Sequence, residues 1–166
     1  MVVYSFLTDI FWLFRIYLVY LQKSKEKNMK ADELNILIEF QNCNHNYFND
    51  ELPFPNAVIR HSYRTFGYFR CELDKNNNIL NPTIEMSDNY EYTEAQFRDI
   101  LIHEMIHYYL VFTKKDIKCR HGKEFKRMAE DFNIRYGLNI TPKIDVEPYK
   151  IRKGKSKFMF KLCTFF

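Results

Sequence analysis

Cysteine is sparse and scattered in this chain. Cys43, Cys71, Cys119 and Cys163 lie far apart and form no C-x-x-C pair. That spacing argues against a zinc ribbon and against a dense disulfide framework, and it fits a reducing, cytoplasmic compartment. Charge of one sign is also in short supply. Lys and Arg number 25 and Asp and Glu 21, a formal net charge of +4. A surplus that small does not define a nucleic-acid-binding protein by itself. No internal repeat is visible. No basic segment precedes the apolar N-terminal stretch and no small-residue cleavage site follows it, which is a poor match to a secretory signal. What the chain does have is apolar bulk. At 166 residues, with 46% hydrophobic and 17% aromatic content, it reads as one domain with appendages and a real core.

The appendages are residues 1–28 and 143–166, around a domain at 29–142. Residues 1–21 are nearly all apolar, with formal charge only at Asp9 and Arg15, and a cluster at Lys23, Lys25, Lys27 and Lys30 follows. The length is near that of a membrane span, but a central Asp and Arg each cost about 2.5–3.5 kcal/mol on insertion scales. Two expectations compete: a membrane-associated segment, or an extension without a role ahead of a natural start at Met29. From Lys143 the chain is basic and irregular, with seven Lys or Arg after residue 142 and Tyr149, Phe158 and Phe160 among them.

Within the domain, residues 31–48 predict an amphipathic helix with Leu34, Leu37, Ile38, Gln41, Asn42, His45 and Phe48 at helical spacing. Pro53 and Pro55 end it. Strands are predicted at Ala57–Arg60, Tyr63–Glu72 and Ile79–Met86, with a turn at Asp74–Asn78. Pro82 suggests that the third strand is an edge or starts irregularly. Thr93-x-x-Gln96 is a capping-box pattern and opens a helix to about Phe112. Lys114, Lys115 and Lys118 then suit the negative end of its dipole. A last helix runs from about Gly122 to Tyr136, with Phe125, Met128, Ala129, Phe132 and Tyr136 on one face and Gly137 as its C-cap.

The long helix carries His103-Glu104-Met105-Ile106-His107. Histidines at i and i+4 share a face and can reach one metal ion. Glu104, beside the first, can reach a metal-activated water without being a ligand. This is the zinc-hydrolase arrangement, in which the metal lowers the pKa of its water to about 7 and the carboxylate takes the proton. A random chain of this composition shows the motif about one time in a hundred. The flanks, Ile100 to Ile102 and Tyr108 to Phe112, are those of a buried helix, where His and Glu need a reason to be. The bland alternative is a core helix whose histidines find ordinary partners.

A catalytic zinc has three protein ligands and an open fourth position. The metzincin pattern needs Gly and His where Leu110 and Thr113 stand, so that class is excluded. The candidates for third ligand are His121, in His121-Gly122-Lys123-Glu124-Phe125, and the carboxylates Glu124, Glu130 and Asp131. His45 and His61 fit ordinary surface or core roles better.

These two histidine motifs together resemble the SprT-like family of zinc metallopeptidases, related to Spartan. Tyr47-Phe48-Asn49-Asp50-Glu51-Leu52-Pro53 and Arg64-Thr65-Phe66-Gly67-Tyr68-Phe69 add a weaker likeness, and the resemblance covers about residues 30–140. It implies His103, His107 and His121 as Zn²⁺ ligands and Glu104 as general base. It implies an α+β, zincin-like (minigluzincin) fold, a small three- to four-stranded sheet packed with an N-terminal helix and the active-site helix. It also implies proteolysis of DNA-associated proteins, since Spartan relatives cut proteins crosslinked to DNA. Many members carry a C-terminal zinc ribbon; here only Cys163 lies near the end. The expected partner is a protein or peptide substrate, with DNA reached through the basic tail. Tyr63, Arg64 and Tyr68 are candidates to stabilise the oxyanion, and an edge strand at Ile79–Met86 would pair with substrate backbone. Two rival functions stay open: a non-catalytic, zinc-stabilised nucleic-acid-binding module, and another zincin with a carboxylate third ligand.

Overall fold

The computed structural model describes residues 28–144 and 149–152. The apolar stretch at 1–21 and the tail beyond Arg152 lie outside the described residues. In chain order the elements are β1 (Asn28–Met29), α1 (Glu33–Phe48), β2 (Asn56–Arg60), β3 (Gly67–Leu73), β4 (Ile79–Ser87), β5 (Tyr90–Thr93), α2 (Glu94–Phe112), α3 (Lys123–Tyr136) and β6 (Lys150–Ile151). The fold is α+β, as expected, with two three-stranded sheets ordered β2-β4-β3 and β1-β5-β6.

Everything packs around α2. It starts where the sequence says it should: the Thr93 hydroxyl accepts from the Gln96 N–H, and the Gln96 side chain accepts from the Thr93 N–H. From Ile100 to Tyr108 every residue is buried. A helix apolar on all sides belongs in the middle of a domain. On one flank Phe69 of β3 stacks on Tyr108 with ring centroids 4.9 Å apart. On another, Phe40 of α1 meets Tyr108 at 6.4 Å, and Phe125 of α3 closes a third side. The short sheet β1-β5-β6 covers the helix start, where Tyr92 is fully buried and its hydroxyl donates to the Ser87 carbonyl.

Helix α1 buries a face rotated from the expected one, with only Phe48 common to both. Ile36, Phe40, Cys43 and Phe48 point inward, while Leu34 is 67% and Ile38 49% exposed. The two phenylalanines remove more apolar area from water than the leucines and isoleucine opposite, and they set the rotation. Buried Glu39 on this face is paired with Arg98 of α2 at 2.8 Å. Asn44 clamps the chain that leaves the helix, donating to the Leu52 carbonyl and accepting from its N–H.

The main sheet corrects two expectations. Ile79–Met86 is no edge: β4 lies between β2, which is parallel to it, and β3, which is antiparallel. Pro82 is tolerated because β2 pairs only from Thr83 onward and the β3 register shifts between Arg70 and Glu72. The edge strands are β2 and β3, and β3 is the one beside α2. The second strand also starts later than expected, at Gly67. Upstream, the Ser62 hydroxyl accepts from the N–H groups of Arg64 and Thr65, a local turn that competes with the ladder. Strand β5 has no counterpart among the predicted strands.

Lys114 serves the fold in another way than expected. Its ammonium donates to the Asn76 carbonyl and the Asn78 side chain in the β3–β4 turn. The Lys143 end of the basic segment is followed by Tyr149, whose ring sits 4.2 Å from that of Phe66, and by β6. Among the described residues no helix is long and apolar enough to cross a membrane.

The reciprocal cap at the start of α2 gives a direct test. Thr93→Ala is expected to lower unfolding free energy by about 1 kcal/mol, read as a urea midpoint shift at constant slope.

Candidate metal centre

His103 and His107 are on the face of α2 that meets α3, one turn apart. His121 comes from the segment that joins those two helices. The Nε2 atom of His121 lies 2.9 Å from Nε2 of His103 and 3.0 Å from Nε2 of His107. Their candidate ligand atoms all fall within 4.8 Å of one another, and no other group of three among the described residues does so. The rival third ligands are elsewhere or occupied. Glu124 is paired with Arg127 at 2.9 Å and Asp131 with Arg135 at 2.8 Å, while Glu130 is exposed. His45 and His61 stand apart in exposed pairs with Asp50 and Asp88.

One aromatic ring holds the three imidazoles together. Phe125, in the first turn of α3, lies 4.8 Å from His103, 4.6 Å from His107 and 4.7 Å from His121, centroid to centroid. It is fully buried, so it gives the cluster a dry floor. Burial then decides protonation. It pushes the His103 pKa down to about 3, helped by the other two imidazoles and opposed by the Thr141 backbone. It pushes His107 down to about 4, with His121 adding and Asp116 opposing. His121 is lowered too, by burial and then by Lys126.

Neutral ring nitrogens 3 Å apart repel unless a proton or a cation sits among them. A tetrahedral zinc with Zn–N of about 2.0–2.1 Å needs its nitrogens about 3.3 Å apart, a few tenths wider than here. The donor set therefore fits a metal of that kind with little movement. Nδ1 of His107 is buried and has no hydrogen-bond partner among the described residues, and Nδ1 of His103 has only the nearby Thr141 backbone, without good hydrogen-bond geometry. An ordinary core histidine rarely carries that cost.

Glu104 faces β3. The Phe69 N–H donates to its Oε2 at 2.9 Å. Burial raises its pKa to about 8, and the Phe69 N–H offsets part of the rise. The approach is possible only because residue 67 is glycine: a Cβ there would lie 2.8 Å from both Cγ and Oε1 of Glu104 and 3.0 Å from Ile100. Glu104 and the three imidazoles line one cleft of about 500 Å³, whose far wall is Pro142, Lys143 and Ile144. That wall is pinned by Asn133 of α3, which exchanges two 2.8 Å hydrogen bonds with the Ile140 backbone.

Of the three oxyanion candidates, Arg64 and Tyr68 line the cleft. Tyr63 does not; its ring packs on Tyr90. Sequence reasoning missed the roles of Gly67, the Phe69 N–H and Phe125. The signals were a glycine inside an aromatic strand and a phenylalanine four residues after His121. It also passed over Asp99, one turn before His103, which borders a second cavity of about 190 Å³ together with His103 and Thr141.

Fold and site define a small α+β domain with a cluster of three histidines that could hold a metal ion, two of them on a buried helix and the third on the segment after it. A model of the SprT-like family matches residues 38–144, well over half of the chain, and the chain belongs to that family, whose general nature is that of zinc metallopeptidases. No curated protein matches it.

Two outcomes follow for the metal-free protein. Histidines with folded pKa values below about 6.5 contribute stability above pH 6.5 that is lost as pH falls toward 4 and 3. Glu104, raised to about 8, contributes stability at low pH that is lost as pH rises from 4.5 through 8. Urea unfolding of the chelated protein should therefore show a maximum near pH 6.5, and Glu104→Gln should flatten its alkaline side and steepen the rise between pH 4.5 and 6.5. Gly67→Ala should cost about 1–3 kcal/mol by overpacking, measured in the same assay.

Proposed function

We propose that the chain is a zinc-dependent endopeptidase that hydrolyses peptide bonds with a metal-activated water. The observation that carries this is the convergence of three neutral imidazole nitrogens in the cleft that also holds the Glu104 carboxylate. His103, His107 and His121 would hold the ion. When bound, zinc supplies Lewis acidity toward the scissile carbonyl and makes a water acidic near neutral pH.

The remaining steps fall to the chain itself. Glu104 accepts a proton from the attacking water and passes it to the departing amine. Its burial raises its proton affinity, and the nearby dication that the site would hold pulls it back toward the carboxylate form, so it can both take and release a proton near pH 7. The Phe69 N–H fixes the carboxylate's orientation. Arg64 and Tyr68, on the cleft wall, are the candidates to donate to the developing oxyanion.

Strand β3 takes the role first given to Ile79–Met86. The Phe66 carbonyl accepts from the Ser87 N–H, so alternation turns the N–H and C=O groups of Gly67 and the C=O of Phe69 toward the free edge, while the Phe69 N–H is taken by Glu104. An extended substrate pairing there would lie along the metal cleft, with main-chain bonds giving broad selectivity. An extension to DNA-associated substrates is supported by the family and by the basic tail, most of which lies outside the described residues. The intact Glu104 favours catalysis over a purely structural metal site.

The test separates binding from chemistry. Glu104→Gln is expected to retain one zinc per chain by elemental analysis while cleavage of an unfolded protein falls by at least about 10²-fold. His121→Ala is expected to lose both metal and cleavage. Wild-type turnover in the zinc-loaded Gln variant would exclude the mechanism, and zinc retained in the Ala variant would exclude the ligand set.

A further inference from the structure

The cleft has a charge of its own. Arg64 from the loop before β3, Lys118 from the segment between α2 and α3, and Lys143 from the far wall all line it. Glu104 is the one carboxylate among the described residues that do so, and the Phe69 N–H already donates to it. The surroundings share the sign. From Lys114 to Arg127 the chain carries seven Lys or Arg against Asp116 and Glu124. Glu124 is paired with Arg127. Asp116 acts on His107 from the same segment, but it does not border the cleft. No ion pair to the Lys118 ammonium forms among the described residues.

We propose that the cleft selects acidic polypeptide segments, with Arg64, Lys118 and Lys143 as the residues that set the preference. This rests on the peptidase reading above and names its substrate class. A substrate held along the β3 edge would place its side chains between these cations, which sit on three different walls. Charges gathered around a low-dielectric cleft focus the potential into it and raise the local concentration of anions. Lys- and Arg-rich segments would meet like charge, which is costly in an interface. Nucleic acid is the competing anion. The peptide is favoured because the cations line the cleft in which the chemistry would occur, not an outward face.

The test uses the full chain carrying Glu104→Gln, loaded with zinc. Fluorescent peptides of one length, with flanks of Glu, Gln or Lys, are titrated by anisotropy. The acidic peptide should bind at least about tenfold more tightly than the Lys peptide at low salt, with the ratio falling toward one near 0.5 M salt. Lys118→Glu should cut that ratio about fivefold or more, Lys118→Gln by less, with zinc content of both variants showing an intact site. Lys118 is the deciding position because Lys143 precedes Asp145 and Glu147 in the chain, which lie outside the described residues. A ratio near one, or a preference for the Lys peptide, overturns the proposal. So does a single-stranded oligonucleotide that binds with Lys118-dependent affinity while the acidic peptide shows no advantage; the cations would then serve nucleic acid. Cleavage of the same peptides by the unsubstituted chain is scored separately. Failure to cut any of them, with the charge preference intact, overturns the peptidase reading and leaves the selectivity standing.

Discussion

A helix with no exposed side is a poor place for two histidines and a glutamate, because each polar atom there has lost its water. Helix α2 is buried from Ile100 to Tyr108, and it carries His103, Glu104 and His107 through that burial. Most of what is unusual in the structure answers this one constraint. The imidazoles are kept neutral by desolvation and brought together with His121. The carboxylate is given a backbone N–H from β3. Burial leaves these groups in forms suited to the proposed chemistry, since neutral imidazole nitrogens can ligate a metal and a desolvated carboxylate holds a proton more tightly.

The neighbours of α2 supply different parts of the site. Helix α3 contributes Phe125, which touches all three imidazoles, and Asn133, which fixes the cleft's far wall. The sheet contributes its edge. β3 can press on Glu104 because Gly67 has no Cβ, and the same closeness delivers the Phe69 N–H. Helix α1 acts at greater range. Phe40 packs on Tyr108, Arg98 pairs with Glu39, and the Tyr108 hydroxyl donates to the Pro53 carbonyl. These contacts hold α2 in one rotational setting, which a metal site with tolerances of about half an ångström requires.

The charge pattern has its own logic. The net charge of the chain is small, yet three cations line the cleft against one carboxylate among the described residues. A weak global surplus and a strong local one are compatible, since solvent screens charges beyond about 10 Å at ordinary salt. Local arrangement decides what the cleft attracts.

Some of this was legible in the sequence because it is local. The spacing of His103, Glu104 and His107, the capping box at Thr93 and Gln96, and the glycine cap of α3 each depend on residues within one or two turns. Helix propensity and hydrogen-bond chemistry fix such features before any packing. His121 was one candidate among several, because fourteen residues separate it from His107 and a chain of that length can place it almost anywhere. Only the tertiary structure brings it, and not Glu124, Glu130 or Asp131, beside the other two imidazoles. The rotation of α1, the central place of β4 and the roles of Gly67 and Phe125 belong to the same class. Each depends on which surfaces bury the most apolar area against α2. That competition among distant residues is settled by packing, whereas the order of residues along the chain was enough to write the helix that carries His103, Glu104 and His107.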